Sequence, residues 1–191
     1  ERLAGRQCLS CFLPGPQIDI GKKNYGQLDI AESVMDNIFQ TGGLMLSQVI
    51  AMTSLEGYMI QNWVKRGFLS PPVHKLYSRR QFCRIVIINM LKDSMAIEKV
   101  VRLLSYINGV LADESDDLID DSRLYNYYVN MVFMCEQGKH PDEAISELLD
   151  DYNEPIPGAK KRLSKALIIM YNAGLANKYK RKCEQLLGEL E

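Results

Sequence analysis

The stretch LSQVIAMTSLEGYMIQNWVKRGFL, residues 46–69, decides how this chain is read. Leu46 to Met52 reads as a short helix. Thr53-Ser54-Leu55-Glu56 then fits a capping box, in which a hydroxyl and an acid three residues on satisfy each other's free amides. The helix so opened runs to about Arg66, and Gly67 supplies the residue that stops it. Tyr58, Gln61, Asn62, Lys65 and Arg66 lie on and around one side; Met59, Ile60, Trp63 and Val64 remain for packing. Pro71-Pro72 forbids helix next. That leaves an extended, hairpin-like loop from Phe68 to Tyr77 carrying His74, Lys75 and Tyr77.

Ser78-Arg79-Arg80-Gln81 is a second capping box. The run Ile85-Val86-Ile87-Ile88 would be a buried strand on propensity alone. It sits inside a properly started helix, however, and its apolar pattern continues to Met90 and Leu91. It therefore reads as a central helix, apolar nearly all round and buried.

Two short helices, a tight turn, a basic loop and a helix opening on Arg79-Arg80 make the composition of a helix-turn-helix with a wing. In that arrangement the second helix enters the major groove. Gln and Asn suit adenine edges, and Lys and Arg suit guanine or phosphate. The same composition also fits a plain helical hairpin with a basic rim. The residues that carry the pattern are Leu46-Ser47-Gln48-Val49, Thr53-Ser54-Leu55, Ile60-Gln61-Asn62-Trp63 and Gly67-Phe68-Leu69. They resemble the winged helix-turn-helix of MerR-type regulators, without a gap from Leu46 to Leu69. His74-Lys75-Leu76-Tyr77-Ser78 resembles that family's wing exit. Met59 to Lys65, with Pro71-Pro72, Lys75, Tyr77-Ser78 and the Ile85 to Lys92 helix, is more similar to a MerR-like group of uncharacterised bacterial helical proteins, known as a domain of unknown function. The resemblance implies a cytoplasmic DNA-binding regulator, with Tyr58, Gln61, Asn62, Lys65, Arg66, His74, Lys75, Tyr77, Arg79 and Arg80 as its DNA contacts. The chain departs from MerR proteins in four places: a shorter wing, Ile50 where a small residue is usual, Glu56 at the start of the proposed recognition helix, and helices from Ser122 onward in place of an evident long C-terminal dimerisation helix.

Outward from this region the chain divides into three. Residues 1–45 read as an irregular arm broken by Pro14-Gly15-Pro16, Gly21 and Gly26, with one weak helix over Leu28 to Phe39. Residues 46–112 hold the helix-turn-helix and a helix with Ile97, Val100, Val101, Leu104, Ile107 and Leu111 at helical spacing. Residues 113–191 hold a C-terminal helical bundle. One of its helices is capped at Asp121-Ser122 and stopped by Gly138. The next opens at Pro141, and a last helical region spans Ala159 to Leu190, with an interruption expected near Ala173-Gly174. The fold class is all-α with one short β-like loop. Two stripes, Leu124-Tyr128-Met131-Cys135 and Leu163-Leu167-Met170, serve either a homodimer contact or the core of a monomeric bundle.

Twenty-three bases against twenty-four acids conceal a segregated charge pattern. Gly57 to Lys92 holds seven bases and no acid; Asp113 to Asp121 holds six acids and no base. Six further acids lie between Asp142 and Glu154, and eight bases between Pro155 and Cys183. Alternating blocks suggest faces of opposite sign, although each alone reads equally as a solvated helix face.

Other chemistry is sparse. Cys8-x-x-Cys11 has no second pair at metal spacing, so no metal is expected. The acidic run lacks the glycine and terminal glutamate of a calcium loop, with Leu118 and Leu124 in their places. His74 and His140 are far apart in sequence, and no glycine-rich phosphate loop is present. Neither an enzyme nor a cofactor is expected. Five cysteines in a chain of 191 residues point to a reducing cytoplasm, and neither a leader nor a membrane span is apparent. The chain opens at Glu1 rather than Met, which leaves room for an upstream piece. The expected function is sequence-specific double-stranded DNA binding as a transcription regulator, dimeric, with an unidentified small-molecule effector conceivable. The alternative is a protein-interaction module that keeps the helix-turn-helix shape without DNA binding, a view that Glu56 and the short wing favour.

Overall fold

A computed structural model of the chain describes residues 30–40 and 42–190. Residues 1–29 of the irregular arm, Cys8-x-x-Cys11 included, lie outside the described residues. In chain order the elements are α1 (Ile30–Ile38), β1 (Leu44–Met45), α2 (Leu46–Thr53), α3 (Gly57–Lys65), β2 (Leu76–Tyr77), α4 (Arg79–Leu91), α5 (Ile97–Asn108), α6 (Asp121–Glu136), α7 (Pro141–Leu148) and α8 (Ala159–Gly188). The protein is thus mainly helical. The expectation of an all-α chain is corrected by one small antiparallel sheet, in which Leu44 pairs with Tyr77 and Met45 with Leu76.

α4 is the hub. The second capping box forms as the sequence predicts: the Gln81 amide donates to Ser78 Oγ at 3.2 Å, and Gln81 Oε1 accepts from the Ser78 amide at 2.8 Å. Gln81 Nε2 also donates to the Ser70 and Pro71 carbonyls, which ties the Pro71-Pro72 loop to the helix start. Once the helix is started there, Ile85, Val86, Ile87 and Ile88 are all buried, because α4 packs against α2, α5, α6 and α8. One continuous apolar cluster runs from Met35 to Ala173. The boundary expected at 112/113 falls in the α5–α6 loop, but the elements on either side of it contribute to this one core.

The acidic run resolves the charge pattern. Asp113 to Asp121 folds over the N-terminal half of α4. Arg80 meets Asp117, Asp120 at 3.6 Å and Asp121 at 3.4 Å. Arg84, 2% exposed, meets Asp121 at 2.7 Å and Asp117 at 3.4 Å, and donates to the Leu111 carbonyl. Burial pushes the Asp121 carboxyl above its ordinary range, and the Arg84 and Arg80 guanidiniums oppose that shift. Arg79 is held by Asp36 and Glu32 of α1.

Three local readings are corrected. Thr53 does not open α3. It ends α2, with its hydroxyl donating to the Val49 carbonyl at 2.7 Å, and Ser54 closes that helix in the left-handed region at φ 56°. The start of α3 has Glu56 as its N-cap, with no side-chain cap bond. α8 is one helix of 30 residues with no interruption at Ala173-Gly174; the cost of about 1 kcal/mol for a helical glycine is outweighed by packing on both sides of it. The stripes Leu124-Tyr128-Met131 and Leu163-Leu167-Met170 are buried within the chain, so they form its core and are not free to join two copies. No helix of the described residues is long and apolar enough to cross a membrane.

Asp121→Asn leaves Arg84 short of a charge in a buried site, and should cost about 3 kcal/mol of unfolding free energy. The loss is held at that level because Asp117 remains. Glu98→Gln, which breaks an exposed pair with Arg66, should cost less than about 1 kcal/mol. Urea denaturation of both variants checks the contrast; equal losses would contradict it.

Candidate nucleic-acid interface

α2 and α3 are joined by Ser54-Leu55-Glu56. The Asn89 side chain of α4 donates to the Thr53 carbonyl at 3.1 Å, fixing the turn to the hub. A Cβ on Gly57 would lie 3.1 Å from Ile50 Cδ1. The close helix crossing therefore uses a large residue, Ile50, on α2 and the glycine on α3.

On α3, Ile60 and Trp63 face the core. Tyr58, Gln61, Asn62 and Lys65 are all exposed, and their spacing of three, four and seven from Tyr58 puts them on one face. Tyr58 is 69% exposed. Both amides point outward, where packing required it of only one. The helix ends in a Schellman motif: Gly67 has φ 74°, its amide donates to the Val64 carbonyl, and the Phe68 amide donates to the Trp63 carbonyl. Arg66 is half committed, pairing with Glu98 at 3.5 Å and stacking over the Phe68 ring at 4.4 Å.

The wing-like loop is a β-hairpin. The Val73 and Leu76 amides and carbonyls bond each other at 3.1 and 2.9 Å, and the two residues between them, His74 and Lys75, have φ 49° and 65°. This is the mirror-image turn that fits the twist of a hairpin, normally built from Asn-Gly. Sequence reasoning missed it because His-Lys carries no turn signal. The turn puts His74 and Lys75 at an exposed tip. β2 pairs with β1, the strand immediately before α2, and Gly43 permits that approach: a Cβ there would lie 3.0 Å from Leu76 Cβ.

Not every predicted contact reaches this surface. Tyr77 is 3% exposed and sits in the core, where burial raises its hydroxyl pKa. Its strand alternation turns it inward while Leu76 turns outward. Arg79 and Arg80 are taken up by Asp36, Glu32 and the acidic run, so they act as internal counter-ions. Tyr58, Gln61, Asn62, Lys65, Arg66, His74 and Lys75 remain at the surface. For Arg80 the signal was present in sequence as two blocks of opposite sign, whereas the partners of Arg79 on α1 lie outside the acidic block.

A family model for a domain of unknown function (DUF1836) matches residues 23–128, and the chain belongs to that family. It is 30% identical over 101 residues to the uncharacterized protein YkrK of Bacillus subtilis (strain 168), an alignment covering 51% of this chain and 42% of that protein. The chain thus spans less than half the length of this curated relative. No solved structure matches.

Two non-glycine residues at positive φ store strain, at a cost of order 1 kcal/mol each. Replacing His74-Lys75 by Asn-Gly should therefore stabilise the protein by about 1–2 kcal/mol. Chemical denaturation reads this directly, and a loss of stability would refute the turn.

Proposed function

We propose that this member of the family is a sequence-specific double-stranded DNA-binding regulator acting in the cytoplasm, with α3 as its major-groove helix and the 73–77 hairpin as its wing. The observation that carries the reading is the Tyr58-Gln61-Asn62-Lys65 face. It is an exposed stripe of amides, a phenol and a cation, on a short helix held by a tight turn and followed by a hairpin with a cationic tip. The order β1, α2, α3, hairpin, α4 is that of the MerR-type winged helix-turn-helix which the sequence resembles. Amide side chains suit adenine, and Lys65, Arg66 and Lys75 suit phosphate or guanine.

The internal pairing of Arg79 and Arg80 reduces the phosphate-facing charge to those three cations. Affinity should therefore depend on salt less steeply than seven unpaired bases would give. Each phosphate neutralised contributes a slope of about 0.9 in log affinity against log salt, so about 2–3 per protomer is expected.

A specific observation favours a second reading, a protein-interaction module. The outer face of the small sheet and its hairpin exposes Met45, Val73 and Leu76, and Glu56 stands exposed before α3. Exposed apolar side chains and an acid at the helix start suit a protein surface better than a phosphate backbone.

Binding to the DNA upstream of its own gene, followed by gel shift and by fluorescence anisotropy over a salt series, decides between the two. Asn62→Ala should cost about 1–3 kcal/mol at one base position and little at others. Lys75→Ala should weaken binding to all sequences alike and lower the salt slope by about 0.9. A slope near zero would leave the interaction-module reading in its place.

A further inference from the structure

Arg79 and Arg80 are neighbours in sequence but are held in different ways. Arg80 and Arg84 meet Asp117 and Asp121, whose side chains are 3% and 1% exposed. Those carboxylates cannot leave without opening the core. Arg79 meets Asp36 and Glu32 of α1, whose side chains are 63% and 52% exposed. Ion pairs so open to solvent contribute little and are readily exchanged for another anion.

α1 brings both acids to one place. Glu32 and Asp36 are four residues apart, one turn of helix. Asp36 Oδ1 accepts from Arg79 Nη1, and Glu32 Oε1 lies 4.0 Å from Arg79 Nη2. The seat of α1 is apolar and independent of these acids. Met35 is buried in the core, and Phe39, just past the helix end, meets Phe82 of α4 with ring centroids 5.9 Å apart.

Arg79 opens α4 directly after the hairpin. It lies four residues after Lys75 of the exposed tip, at most about 14 Å of chain. Phosphates of one DNA strand recur about every 3.4 Å along the duplex axis, so one strand can serve both side chains. The first turn of α4 carries Arg79 and Arg80 and no acid, the sign that the positive end of a helix disfavours. Such a turn attracts anions, and on Arg79 α1 supplies them.

We propose that α1 is an autoinhibitory clasp, in which Glu32 and Asp36 occupy on Arg79 the place of a backbone phosphate and so compete with nucleic acid. The clasp rests on the DNA-binding reading of α3 and the hairpin, and names how that surface is held back. While the clasp is intact, Arg79 adds little to the salt dependence. Exchange swaps one anion for another, and the freed carboxylates take up the cations that the phosphate gives off. With the carboxylates neutral, Arg79 meets phosphate with full counterion release, and the slope rises by about 0.9.

Glu32→Gln with Asp36→Asn, in the full chain, tests this on the duplex upstream of its own gene, by fluorescence anisotropy over a salt series. Both side chains are exposed, so circular dichroism and urea midpoint should stay nearly unchanged. Affinity at low salt should rise about three- to tenfold and the slope by about 0.9. Arg79→Gln should cost little in the native chain and remove the whole gain in the neutralised one. A gain that survives Arg79→Gln would reflect lost repulsion alone and would overturn the clasp. An equal Arg79→Gln loss in both chains would overturn it too, as would a neutralised chain that binds no better than the native one. In each of these cases native binding leaves the DNA reading standing. Binding by neither chain would overturn the DNA reading, and the clasp with it; binding by the neutralised chain alone would support both.

Discussion

Two arginines on the central helix cannot be left alone. Arg80 and Arg84 enter the interior on the same helix that carries Ile85 to Ile88, and an unpaired buried guanidinium would cost several kcal/mol. Asp117 and Asp121 are the answer. They arrive on a loop more than thirty residues downstream, and that loop ends in the first turn of α6. Such an ion cluster adds little net stability against an apolar substitute. What it does is fix register: α6 can pack on α4 only where its first turn meets Arg84. α7 and α8 then take their places against α6 and α4.

The same pairing changes how the surface must be read. A basic block in sequence suggests a nucleic-acid footprint, yet in this fold five of its seven members, Arg66, Arg79, Arg80, Arg84 and Lys92, face acids of the same chain. The surface that remains for a partner is smaller and more specific. It consists of one helical face of mixed amide, phenol and cation character, and a hairpin tip. Affinity from such a surface would depend on shape and hydrogen bonding more than on field strength.

Much of this was legible. The Ser78-Gln81 cap, the burial of α4 against its own β propensity, the Gly67 and Gly138 stops and the outward amides of α3 all follow from local rules. The failures share a cause. Thr53 fits a start signal, but its hydroxyl found an acceptor one turn back, and the short-range pattern does not say which bond wins. Gly174 looks like a break until packing along the whole of α8 is known. Tyr77 looks like a contact residue until strand pairing with Leu44 sets which way it turns. The His74-Lys75 turn has no sequence signal, because its strain is sustained by the sheet on either side of it. Charge pairing was visible as block structure but not as a list of partners, since nothing local says which acid reaches which base.

The family match ends at residue 128, inside α6 (Asp121–Glu136). Structurally that is mid-wall. Met131 and Met134 of α6, Ala144 and Ile145 of α7 and Leu163 and Leu167 of α8 belong to the same buried cluster as Ile85 and Ile88. What recurs among relatives and what folds as one body are therefore different lengths of chain. A relative that shares only the matched part must close the open side of its central helix with some other element. That wall, rather than the matched part, is where members of the family can differ in structure.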